Sequence, residues 1–99
     1  MPDVQMTIYC AAADRDMVAD TLWTNVTVPL HVRDERVLGR DFGDAHTAEQ
    51  VKGTLKRVAI DFIIDEADVQ GVLDAVSQSR RGFPVRWHMV AVAGRGRIA

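Results

Sequence analysis

Hydrophobic positions recur along the chain with two distinct periods. Val4, Met6, Ile8 and Cys10 alternate with Gln5, Thr7 and Tyr9, the two-residue period of a strand with one face turned to a core. After Ala11 to Ala13, Asp14 stands where it can cap a helix, with Asp16 in its first turn. Met17, Val18, Thr21 and Leu22 then form a mainly apolar stripe at helical spacing, predicting a helix that runs to about Trp23 or Asn25. Val26, Val28, Leu30 and Val32 alternate again, with His31 and Arg33 on the opposite side, and the pattern continues weakly through Arg36 to Leu38. Pro29 lies inside this second predicted strand and cannot donate to a sheet ladder, which places the strand at an edge.

From Gly39 to Gly53 the periodicity stops, and a polar, glycine-punctuated run takes over, the composition of a loop. Val58, Ile60, Phe62 and Ile64 give the clearest strand, predicted to be central, with Arg57, Ala59, Asp61 and Ile63 on its other face. Asp65 then caps a second helix, whose Val69, Val72, Leu73 and Val76 share one stripe, and which is expected to end near Ser79. Arg80-Arg81-Gly82-Phe83-Pro84 reads as a turn, and Val85, Trp87, Met89 and Ala91 as the inward positions of a fourth strand. The order strand, helix, strand, strand, helix, strand predicts an α+β, ferredoxin-like βαββαβ sandwich, a four-stranded antiparallel sheet with two helices on one face. The other face carries Ala59, Ile63, Val90 and Val92, an apolar set that implies cover by other copies of the chain.

Composition narrows the class. Ninety-nine residues suit one domain over 1–99, and 47% apolar with 26% charged residues is an ordinary globular balance. Twelve basic against fourteen acidic side chains, a formal charge of −2, give no electrostatic footprint for nucleic acid. Cys10 is the single cysteine, which excludes an internal disulfide and a cysteine-rich zinc site and points to a cytoplasmic setting. No apolar stretch approaches the ~20 residues of a membrane span, and residues 1–5 carry no export pattern.

Lys56-Arg57-Val58-Ala59-Ile60-Asp61-Phe62-Ile63-Ile64 leading into Asp65-Glu66-Ala67-Asp68-Val69, after a long excursion between strands two and three, resembles the PII signalling proteins. Ala48-Glu49-Gln50-Val51-Lys52-Gly53 ahead of Lys56-Arg57-Val58, with Trp87, Val92 and Gly96, is similar more narrowly to a small bacterial PII-like family of unknown function found beside heavy-metal efflux systems. The resemblance implies a homotrimer with its sheets facing inward. It also implies a ligand cleft between subunits, built from the base of the loop, the turn after the second helix and the segment after the last strand. Those elements correspond here to Gly39 and Arg40, to Arg80, Arg81 and Gly82, and to Arg95 and Arg97; Glu49, Gln50 and Gly53 mark the loop. Two departures matter. The glycine-rich phosphate turn with its lysine is replaced by Arg80-Arg81-Gly82-Phe83-Pro84, and the only tyrosine, Tyr9, lies on the first strand rather than in the loop.

Three readings follow. In the first, Arg80, Arg81, Arg95 and Arg97 bind a phosphate, carboxylate or bicarbonate through guanidinium forks, and the protein is a sensor acting on a membrane transporter or regulatory partner. In the second, His46, with loop carboxylates such as Asp41 and Asp44, holds a divalent metal, although no histidine pair or CxxC spacing supports it. In the third, the edge strand and loop are a docking module without a ligand. A nucleotide, a small anion or a divalent metal therefore remain the open ligand classes. Trp87 is expected to be buried against a helix, and Cys10 to be a buried thiol with a raised pKa. No nucleophile elbow or phosphate loop signals an enzyme.

Overall fold

The computed structural model describes residues 2–38 and 54–99. The chain forms β1 (Asp3–Ala11), α1 (Arg15–Asn25), β2 (His31–Leu38), β3 (Thr54–Asp65), α2 (Val69–Ser77) and β4 (Arg86–Ala91). A 3₁₀ turn precedes each helix, at Ala12–Asp14 and Glu66–Asp68. The four strands make one antiparallel sheet in the order β2-β3-β1-β4, so the expected α+β architecture stands, with β3 central. Gly39, Arg40, His46, Glu49, Gln50, Gly53 and the rest of the 39–53 loop lie outside the described residues.

The core lies where the alternation puts it. Val4, Met6, Ile8 and Cys10 of β1 face the helices beside Val58, Ile60, Phe62 and Ile64 of β3, and all are buried. Val18 and Leu22 of α1 and Val69, Val72 and Val76 of α2 close the layer from above, each large side chain contributing about 1.5–3 kcal/mol on burial. Asp65 caps as expected, its carboxylate accepting from the Ala67 N–H at 2.9 Å.

Four expectations need correction. The second strand begins at His31, not Val26: Val26, Val28 and Leu30 pack on the core from an irregular segment that bends at Val28 and lies outside the ladder. Alternation reports which side chains point inward, and an irregular segment can satisfy it as well as a strand. The edge position is right, but Pro29 lies ahead of β2 rather than within it. In α1 the stripe is narrower than the spacing suggests, since only Val18 and Leu22 are buried and Met17 is exposed. Trp87 points toward the helix side but is 45% exposed, because β4 is the other edge and its helix face opens on the flank of α2 beside Leu73 and Val85.

The fourth correction concerns the open face of the sheet. Ala59 is buried there, and Ile63, Val90 and Val92 are present, but the centre is polar. Across the sheet His88, Thr7, Asp61 and His31 stand in one row. The Thr7 hydroxyl donates to the Asp61 carboxylate at 2.6 Å, and Arg33 forms an ion pair with the same carboxylate. Tyr9 lies beside His88 with ring centroids 5.6 Å apart. The apolar set forms a margin around a hydrogen-bonded centre.

Candidate functional site

Sheet register fixes where the candidate residues stand. β1 ends at Ala11 opposite Arg57, while β3 begins at Thr54, paired with Leu38. The β2–β3 hairpin therefore projects beyond β1 at the end of the molecule where α1 starts. The chain returns to that end after α2, because Arg86, the first residue of β4, pairs with Tyr9. Hairpin stem, start of α1 and the 80–85 turn are thus neighbours, and a cleft of about 440 Å³ on the stem is lined by Arg15, Arg36, Lys56 and Arg57 with Asp34 and Glu35. Cations outnumber anions there, four to two.

Asp14 holds the turn in place. Its carboxylate, nearly buried, accepts from the Gly82 N–H at 2.9 Å and the Phe83 N–H at 3.0 Å. It stands at the N-cap position of α1 yet makes no capping bond, so its charge goes to a segment 68 residues away. Charged hydrogen bonds of this kind are among the stronger ones. Arg81 turns inward: its guanidinium donates to the Val76 carbonyl at 3.4 Å and the Phe83 carbonyl at 3.3 Å, closing the end of α2. Arg80 is exposed and, among the described residues, has no hydrogen-bond or ion-pair partner. The two adjacent arginines therefore divide into a structural one and a free one.

Arg95 and Arg97 stand at the opposite end. β4 runs from Arg86 beside Tyr9 to Ala91 beside Val4, and Val92 N–H then donates to the Asp3 carbonyl. Arg95 pairs with the Asp3 carboxylate at 3.1 Å. One chain thus separates Arg80, Arg81 and Gly82 from Arg95 and Arg97 by most of the sheet. Among the described residues no group of three histidine, cysteine or acidic side chains is placed to hold a metal, and His46 is outside them. No helix among the described residues is long and apolar enough to cross a membrane. Cys10 is fully buried and desolvation pushes its thiol up to about 11, with Arg57 acting against the shift and Asp14 with it.

Sequence reasoning missed the Asp14 clamp and the Thr7–Asp61–Arg33 network. Asp14 carries the local signal of a helix cap, and nothing in the spacing reveals a partner so distant. The pairing of Thr7 with Asp61 follows from register alone, once β1 and β3 are known to be adjacent.

The model for the family described as "Protein of unknown function (DUF3240)" matches residues 1–99. The chain belongs to the DUF3240 family. A DUF3240 family protein from Shewanella baltica OS155 has a similar fold, with a TM-score of 0.74 at 11% identity over 100% of this chain and 99% of that one. Arabidopsis thaliana PII bound to citrate aligns at a TM-score of 0.68 and 13% identity, over 92% of this chain and 78% of that chain. The B. subtilis GlnK-ATP complex aligns at 0.68 and 12%, over 93% and 83%. No curated protein matches the chain. At these identities the similarity to solved structures is one of fold alone: this DUF3240 chain shares the fold of those PII structures.

Proposed function

We propose that this DUF3240 protein is a PII-like regulator, working as a single domain over residues 1–99 that senses a small anionic ligand without transforming it. Three copies pack through the open sheet face. Arg80 and Gly82 of one copy then meet Arg95 and Arg97 of the next, with Gly39 and Arg40 at the base of the loop and Arg81 holding the turn. Occupation of that cleft acts through the 39–53 segment, whose markers are Glu49, Gln50 and Gly53, and alters contact with a partner protein such as a membrane transporter.

The observation that carries the reading is the turn itself. Asp14 pins the Gly82 and Phe83 amides and leaves the Arg80 guanidinium exposed and, among the described residues, unpaired at the end from which the loop-bearing hairpin projects. Two PII structures, one bound to citrate and one a complex with ATP, support the ligand class, since each of those molecules presents a carboxylate or phosphate suited to a guanidinium fork.

The test is a thermal-shift and calorimetric screen of the native protein against citrate, ATP, bicarbonate and divalent metal ions. A ligand at about a hundredfold its Kd adds about 2.7 kcal/mol, a rise of at least about 10 °C for a chain of this size. An anion signal lost in Arg80→Ala is expected. Arg80 is the variant of choice because Arg81→Ala also removes the cap on α2. Silence from every anion contradicts the reading, and a metal signal lost in His46→Ala replaces it with the metal-binding one.

A further inference from the structure

The sheet has a gap. β2 pairs with β3 only from Leu38↔Thr54 to His31↔Asp61, so among the described residues the last four of β3, Phe62 to Asp65, have no strand on that side. The direction of their backbone groups follows from register. Glu66 N–H donates to the Pro2 carbonyl, and by the two-residue alternation of an antiparallel ladder Ile64, Phe62 and Ile60 also bond toward β1. Ile63 and Asp65 therefore turn N–H and C=O to the vacant edge. Among the described residues neither backbone has a partner there. Pro29, two residues ahead of β2, keeps that strand from extending into the gap, since it has no N–H to give.

Two contiguous clefts lie along this edge. One of about 690 Å³ is walled by Val28, Pro29, His31, Phe62 and Ile63, and one of about 530 Å³ continues past Asp65 to Asp68. Arg95 borders both and Gly96 the first. The chain's own segment after β4 thus forms a wall of the groove and does not fill it: Arg97 and Ile98 stand outside, Ile98 being 100% exposed. The charges are complementary. The groove carries the carboxylates of Asp3, Asp61, Asp65 and Asp68, and residues 94–99, Gly-Arg-Gly-Arg-Ile-Ala, carry two arginines and no acidic side chain. Asp68 and Arg97 are both exposed, and among the described residues neither has a partner.

We propose that the groove beside Ile63 accepts residues 95–98 of a second copy of the chain as an added strand. The free edge of β3 from Asp61 to Asp65 spans roughly 13 Å, the length of a four-residue strand. Ile63 supplies one donor and one acceptor to the incoming backbone. Arg97 of the second copy meets Asp68, and its Ile98, on the other face of the added strand, covers Ile63. Backbone bonds give the affinity and these two side chains the specificity, the usual division in strand addition. Each copy gives one segment and receives one, so the exchange closes within a symmetric assembly. This contact is distinct from the sheet-face packing, and because it takes Arg97 to Asp68 it competes with the proposed anion cleft, which draws on the same arginine.

Amide hydrogen exchange of the full chain tests it, run across roughly a hundredfold range of protein concentration so that mass action varies the assembled fraction. The expected result is that the Ile63 amide and the amides of residues 95–98 slow together by at least about tenfold as copies associate. Asp68→Arg removes the effect, and Asp68→Arg combined with Arg97→Glu restores it. Both positions are exposed, so neither variant threatens folding. Association that leaves these amides at the rate of the single chain overturns the proposal while leaving sheet-face assembly intact. Protection of Ile63 that does not depend on concentration overturns it too, since the segment then folds back on its own groove.

Discussion

Asp14 and Asp65 occupy the same position in the sequence pattern, an aspartate ahead of a helix, and do different work. Asp65 accepts from Ala67 N–H as a cap should, and that role is legible from the residues around it. Asp14 spends its carboxylate on Gly82 and Phe83, which no local pattern encodes. Asp14→Ala should cost about 2 kcal/mol in urea unfolding, the scale of hydrogen bonds to a charged group. Asp14→Asn, which keeps one acceptor oxygen, should cost less, and both should weaken anion binding by loosening the turn that presents Arg80. Cys10 behaves as the alternation implies. Burial raises its pKa from 9.0 to about 11, so the folded chain holds the proton more tightly than the unfolded one. Stability associated with this group is full below pH 9, falls as pH rises from 9 to about 11, and then levels off. At pH 8 a thiol reagent should react only as fast as the chain unfolds, and a fast stoichiometric reaction in native buffer would contradict that burial.

At the level of elements, the sequence marks the strongly periodic pieces and misjudges the edges. β1 and β3 are the inner strands of the sheet, and α2 lays Val69, Val72 and Val76 on it, so inward and outward positions separate cleanly. β2 and β4 are the sheet's two edges, and there the pattern misleads: Val26 to Leu30 alternates without pairing, and Trp87 points toward a helix layer that does not reach it. In α1 two buried residues carry the contact. Leu22→Ala should therefore cost about 2–5 kcal/mol, whereas Trp23→Ala, at a site 73% exposed, should stay within about 0.5 kcal/mol. Equal losses in denaturant unfolding would mean that the Trp23 ring is covered in the assembled protein.

The whole molecule joins a PII-like fold to an open sheet face whose centre is polar and whose margin is apolar. Strand alternation marks an apolar set on this face, Ala59, Ile63, Val90 and Val92, while the hydrogen bonding of Thr7, Asp61 and Arg33 follows only from the register. If copies meet on this face, Val90→Glu, at a position 51% exposed, should weaken association at least about tenfold in sedimentation, since a charge buried without a partner is costly. The central claim is that the anion cleft is shared between copies, one supplying Arg80 and the next Arg97. Its most direct test is complementation. Arg80→Ala and Arg97→Ala are each titrated with citrate and with ATP, separately and after the two variants have been dissociated and reassembled together. The account predicts that neither variant binds alone and that the mixture recovers about one cleft in four, the share that random assortment in a closed ring leaves with both arginines. Wild-type binding by either variant, or a mixture as inactive as its parts, would contradict a cleft shared in this way.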